Sequence, residues 1–250
     1  MCFDLDSTPP IPVIAGASVS HEDLVLTAGD GNEFAAFLAT PEEAATVGVV
    51  ILPDVRGLYR FYEELALRFA ERGYAAVAID YYARTAGVAK RDTDFDYEPH
   101  REQTNDDGVQ ADMRAAVEHV RDLGVQAVFG VGFCFGAHAA WLAASWGHGL
   151  AGSVGFYGSP TRNRGGGSPI DRADRIDVPI LALQAGDDGN ITADDNAAFE
   201  RALAEAGVSH EVVTYDGAPH SFFDRKQEAF AEASDDAWRR TLAFIDTLEV

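Results

Sequence analysis

The segment Gly132-Phe133-Cys134-Phe135-Gly136 places a thiol between two aromatic residues and two glycines. An apolar run at 127–131 precedes it, and a helix-like stretch at 137–146 follows. This order predicts a sharp strand-to-helix turn with Cys134 at its apex, the setting of a nucleophile elbow. Side chains at 132 and 136 would crowd such a turn, which explains the glycines. The start of the following helix offers partial positive charge and free N–H groups to a thiolate or an oxyanion. The chemistry predicted is acyl transfer through a covalent intermediate.

A thiol nucleophile needs a base. His220, in Gly217-Ala218-Pro219-His220-Ser221-Phe222, follows the last strong strand pattern. From a loop beyond the carboxyl end of a sheet strand it can reach back to the elbow. The other six histidines are less well placed. His138, four residues past Cys134, is expected to pack along its helix. The acid that orients the imidazole should lie between nucleophile and histidine in the chain. The run at 180–186 ends in Asp187-Asp188-Gly189-Asn190. Either carboxylate could hold the imidazole, and local chemistry does not choose between them.

These residues require a rigid sheet behind them. Short apolar runs at 48–52, 75–80, 127–132, 152–157, 180–186 and 211–215 suit strands covered on both faces. Between them, Val109, Met113, Ala116, Val117 and Val120 share one helical stripe. Phe199, Leu203 and Ala206 form another, and Trp238, Leu242 and Ile245 a third. Alternation of this kind predicts a mostly parallel sheet with helices on both sides. At the front, 24–27 and 34–39 flank Gly29-Asp30-Gly31-Asn32 and read as an antiparallel hairpin. Residues 1–18, with three prolines, are expected to lie extended over the surface. No repeat or linker stands out, so 1–250 reads as one domain. Residues 84–107, rich in acidic side chains, read as a mobile loop that could line a site. Gly165-Gly166-Gly167 reads as solvated surface.

Charge narrows the partners. The chain carries 41 acidic against 19 basic residues, a net −22. Such a field repels nucleic acid and anionic lipid, and no apolar run approaches the ~20 residues of a membrane span. Its only lysines are Lys90 and Lys226, a bias that high-salt adaptation or a GC-rich genome would each produce. Cys2 and Cys134 are too few for a disulfide framework, so a reducing cytoplasm is expected. No metal-ligand spacing or phosphate-cradling glycine pattern appears, so neither metal nor cofactor is expected. A monomer or small homo-oligomer fits equally.

Gly132-Phe133-Cys134-Phe135-Gly136, Ala218-Pro219-His220-Ser221-Phe222 and Asp80-Tyr81-Tyr82-Ala83-Arg84 together resemble the dienelactone hydrolase family, from about residue 20 to the C-terminus. The cysteine is the specific part, since most α/β-hydrolases carry serine there. The resemblance implies an α/β-hydrolase fold and hydrolysis of a small ester or lactone through Cys134, His220 and an acid. Asp188-Gly189-Asn190-Ile191-Thr192 resembles the family's acid segment and favours Asp188. The resemblance further implies an oxyanion hole from the N–H groups of Val55 and Phe135. The family has a glutamate at the position of Asp54; facing Cys134, this charge would disfavour the resting thiolate. Arg84 matches an arginine that binds the substrate carboxylate. A second family arginine falls at Asp224 here, with Arg225 one place later as its substitute.

Overall fold

The computed structural model describes residues 5–224 and 228–248. The chain opens with β1 (Val19–Thr27), β2 (Glu33–Pro41) and β3 (Val47–Leu52). Helix α1 (Arg60–Ala70) leads to β4 (Ala75–Ile79) and two short helices, α2 (Ala83–Ala86) and α3 (Glu98–Gln103). Next come α4 (Asp106–Asp122), β5 (Ala127–Phe133), α5 (Phe135–Ala143) and β6 (Gly152–Phe156). The chain closes with β7 (Ile180–Asp187), α6 (Ala193–Glu205), β8 (His210–Pro219) and α7 (Ala231–Leu248).

The eight strands form one sheet in the order β1-β2-β4-β3-β5-β6-β7-β8. β1 pairs antiparallel with β2, and β2 with β4; every later pairing is parallel. This is the α/β-hydrolase architecture that the resemblance implies, with the hairpin where Gly29–Asn32 predicts it. Alternation along β3 shows how the core divides. Val49 and Ile51 face a layer with Phe61, Leu65 and Trp238, whereas Val50 and Leu52 face one with Met113 and Ala140. Helices α1 and α7 therefore cover one face, and α4 and α5 the other. All six β3 residues are buried, as continuous apolar strands require.

Helix starts follow side-chain chemistry. Asn105 accepts the Gly108 N–H at the start of α4, and Thr192 with Asp195 forms a reciprocal capping box before α6. Among the described residues, no helix is long and apolar enough to cross a membrane.

One sequence expectation changes. Residues 84–107 carry α2 and α3 and are tied down: Arg91 pairs with buried Asp80 at 2.8 Å, and Phe95 packs on Tyr82. The N-terminal segment is pinned along α1: Arg60 donates to the Leu5 carbonyl at 2.9 Å, and Ile14 N–H to Glu71 at 3.0 Å. Within it, Ile11 is buried.

Candidate active site

Cys134 sits between the end of β5 and the first residue of α5, with φ 52° and ψ −107°. A positive φ is uncommon for a residue with a side chain, and such strain costs about 1–3 kcal/mol. Its surroundings hold the turn in place. The Cys134 N–H donates to the Phe156 carbonyl at 2.9 Å. A Cβ on Gly132 would overlap the Gly136 carbonyl, and one on Gly136 the carbonyls of Leu52 and Pro53. The two glycines thus let the elbow close against itself and against β3.

His220 follows β8 directly. Its Nε2 lies 3.1 Å from Cys134 Sγ, and its Nδ1 2.5 Å from Asp188 Oδ2. Asp188 Oδ1 also accepts the N–H groups of Asn190 at 2.9 Å and Ile191 at 3.2 Å. Burial works against its charge, but His220 and these two amides hold the carboxyl below its ordinary range. Asp187, by contrast, is exposed at the end of β7. The turn therefore brings one of the two candidate acids to the imidazole and leaves the other in solvent.

A cavity of about 210 Å³ opens over Cys134 and His220, and Val55 and Phe135 both line it. Phe135 is the first residue of α5, so its N–H has no partner within the helix. Asp54 does not stand free beside the thiol. Its carboxylate accepts Arg56 Nη2 at 2.8 Å and the Arg56 backbone N–H at 2.8 Å. Arg56 reaches on to Asp224 in a second buried ion pair. The loop carrying Val55 is thereby braced from below.

Arg84 is not brought to this cavity. Its guanidinium donates to Asp112, buried in α4, and to Asp30 at 2.7 Å. The carboxylate-binding role implied for it is corrected on this ground: both faces of the fork are already engaged by the protein's own acids. Arg225 lies outside the described residues.

The cavity instead receives Arg101, Arg162 and Arg164, together with His138, none of which sequence reasoning assigns to the site. Rather than packing inertly along α5, His138 places Nε2 3.1 Å from Asp106 Oδ1. The glycine run is also not plain surface, because Gly166 N–H donates to Asp106 at 3.0 Å. The signal that could find this loop is Arg162-Asn163-Arg164, a concentration of positive charge in a strongly acidic chain.

The sequence model of the dienelactone hydrolase family matches residues 34–248. The carboxymethylenebutenolidase of Rhodococcus opacus is 29% identical over 255 residues, covering 98% of this chain and 96% of its own length. A dienelactone hydrolase-like promiscuous phosphotriesterase from metagenomic libraries is 22% identical, with a TM-score of 0.78. That alignment covers 93% of this chain and 99% of the other. The Pyrococcus horikoshii acylaminoacyl peptidase is 13% identical with a TM-score of 0.71, over 94% of this chain and 42% of its own. At these identities the two structures speak for a shared fold alone.

Proposed function

The chain belongs to the dienelactone hydrolase family, and within it we propose that Cys134, His220 and Asp188 hydrolyse a small ester or lactone through an acyl-thioenzyme. The observation that carries this reading is the unbroken contact from Cys134 Sγ through His220 to Asp188 at the base of a substrate-sized cavity.

His220 Nε2 takes the thiol proton as Sγ attacks the carbonyl carbon. Negative charge collects on the carbonyl oxygen, where the N–H groups of Phe135 and Val55 receive it. As the tetrahedral adduct collapses, the C–O bond breaks and the alkoxide takes the proton from His220. In a lactone, that alkoxide stays attached as a hydroxyl of the acyl group. His220 then deprotonates a water that attacks the thioester, and collapse returns the thiolate and the acid. Asp188 keeps the Nδ1–H oriented and stabilises the imidazolium. Asp54, paired with Arg56, supports the Val55 loop.

A thiolate is a good leaving group as well as a nucleophile. Attack on an unactivated amide therefore reverts, whereas lactones and activated esters proceed. The name of the Rhodococcus relative directs the first trials to unsaturated lactones. One domain working in a reducing cytoplasm, alone or as a small homo-oligomer, completes the reading.

The test is turnover of p-nitrophenyl acetate with acid quenching and mass analysis. An acetyl adduct on the peptide containing Cys134, and loss of turnover on its alkylation, are expected. Turnover that survives complete alkylation would remove Cys134 from the reaction.

A further inference from the structure

Three arginines converge on the cavity of a protein whose net charge is −22. Among the described residues, none of Arg101, Arg162 and Arg164 forms an ion pair with a carboxylate, whereas Arg84 forms two. Arg164 lies over the ring of Phe135, 4.7 Å from its centre, and so stands beside the residue that follows the nucleophile. Its Nη1 donates to the Arg101 carbonyl at 3.2 Å, while its buried Nε has no hydrogen-bond partner. Burial and the neighbouring guanidiniums of Arg162 and Arg101 hold Arg164 below its ordinary value. Unpaired positive charge gathered in a partly buried pocket is stabilised by an anion.

The loop that presents two of these arginines is fastened at two places. Asp106, buried at the start of α4, accepts the N–H groups of Arg164 and Gly166, each at 3.0 Å. Its other oxygen meets His138 Nε2, and the opposite nitrogen of that ring faces the Ser159 carbonyl at 3.4 Å. Arg162 projects between these anchors. Gly166 cannot carry a side chain, because its Cβ would press on Trp146 and Asp106. One carboxylate thus links α4, α5 and the loop.

We propose that Arg101, Arg162 and Arg164 receive a carboxylate of the substrate distal to its scissile bond, and that Asp106 and His138 position the loop presenting Arg162 and Arg164. The inference rests on the hydrolase reading above. It places selectivity on Arg101 of α3 and on the 159–166 loop, both separate from the three residues that carry the chemistry. A guanidinium matches a carboxylate through paired N–H donors, and a second and third cation deepen the preference for charge. Asp106 touches no substrate and acts through the loop.

The experiment compares the p-nitrophenyl monoester of glutarate with its neutral methyl ester. In the intact protein the charged ester should show the higher kcat/KM. Arg162→Gln and Arg164→Gln should each lower the charged-to-neutral ratio about tenfold, the change of one charge-assisted contact. Arg162 is exposed, so its replacement does not endanger the fold. Asp106→Asn should lower the same ratio through KM for the charged ester, with kcat less affected. Unchanged ratios in both arginine variants overturn the anion site. A changed ratio in these but not in Asp106→Asn overturns the positioning role. Calorimetry of monomethyl glutarate binding to Cys134→Ala, with and without Arg162→Gln, separates the two readings. Should neither ester be hydrolysed while binding still depends on Arg162, the hydrolase reading falls and the anion site stands. Cys134-dependent hydrolysis with binding indifferent to Arg162 removes the anion site and leaves the hydrolase reading standing.

Discussion

Arg56 and Asp224 meet as a buried ion pair although 168 positions separate them in the chain. Arg56 stands in the loop after β3 and Asp224 four residues beyond His220, so the pair ties the Val55 loop to the histidine loop. Asp54 shares the same guanidinium, and the rings of Tyr59, Phe61 and Tyr62 lie 5.0–5.6 Å from it. Two carboxylates around one cation leave an excess negative charge in the interior.

That excess sets a pH dependence of stability. Burial pushes the Asp224 carboxyl up to about 6, with Asp54 adding to the effect and Arg56 opposing it. Burial likewise raises Asp112 to about 6 despite Arg84. Each folded value lies above the ordinary 3.8, so the folded state holds these protons more tightly than the unfolded chain. Their contribution is complete below about 4 and is lost as pH rises through about 6, about 2–3 kcal/mol for each group. Asp188 and Asp106 are shifted downward, and their contribution is lost on acidification below the ordinary range. Melting temperature at constant ionic strength should therefore be highest near about pH 4, fall between about pH 4 and 6, and level off above about 7. Asp224→Asn should flatten that fall. A melting temperature that rises from about pH 4 to 6 contradicts the assignment.

Asp188→Asn should reduce kcat by up to about 10⁴-fold, the effect of neutralising a triad carboxylate elsewhere. Asp187→Asn should stay within about twofold, because an exposed side chain away from the imidazole has little influence on it. Parallel kinetics on one activated ester decide the matter. Equal losses at the two positions would point to a different acid.

Arg84→Gln should weaken the fold and leave substrate selectivity alone. Asp112 has no exposed surface and would keep Asn32 Nδ2 at 3.1 Å as its remaining side-chain donor. An under-satisfied buried carboxylate costs about 1–3 kcal/mol. Chemical denaturation measures that loss. A selective rise in KM for the charged ester would restore Arg84 to substrate binding.

Much of this site can be read from the chain because its constraints are local. Gly132 and Gly136 declare the elbow, since the steric demand they meet arises within five residues. The sheet is legible because each central strand is buried on both faces. Asp188 is harder: two adjacent carboxylates on a turn differ in direction, and direction is not written in composition. The family resemblance supplies the choice. Arg84 misleads because its partners, Asp112 and Asp30, lie 28 and 54 positions away. Arg162 and Arg164 escape notice for the same reason. Their loop acquires its place from Asp106, 58 residues upstream of Arg164, and no local pattern announces that contact. Helix α1 carries a usable signal in Phe61, Leu65 and Phe69, spaced four apart.

β8, the last strand of the sheet in chain order, occupies an edge, and His220 follows it, 86 residues after Cys134. During synthesis at about 5–20 residues per second, the thiol precedes its imidazole by about 4–17 s. An isolated cysteine has a pKa near ~8.5, so over that interval the nascent chain carries a mostly protonated, weakly nucleophilic sulfur. Docking of β8 on β7 brings His220 to Cys134 and to Asp188, which already stands at the end of β7. On the proposed mechanism, reactivity towards acyl groups is therefore withheld until β8 has emerged, and a chain truncated before that strand would leave the ribosome inert.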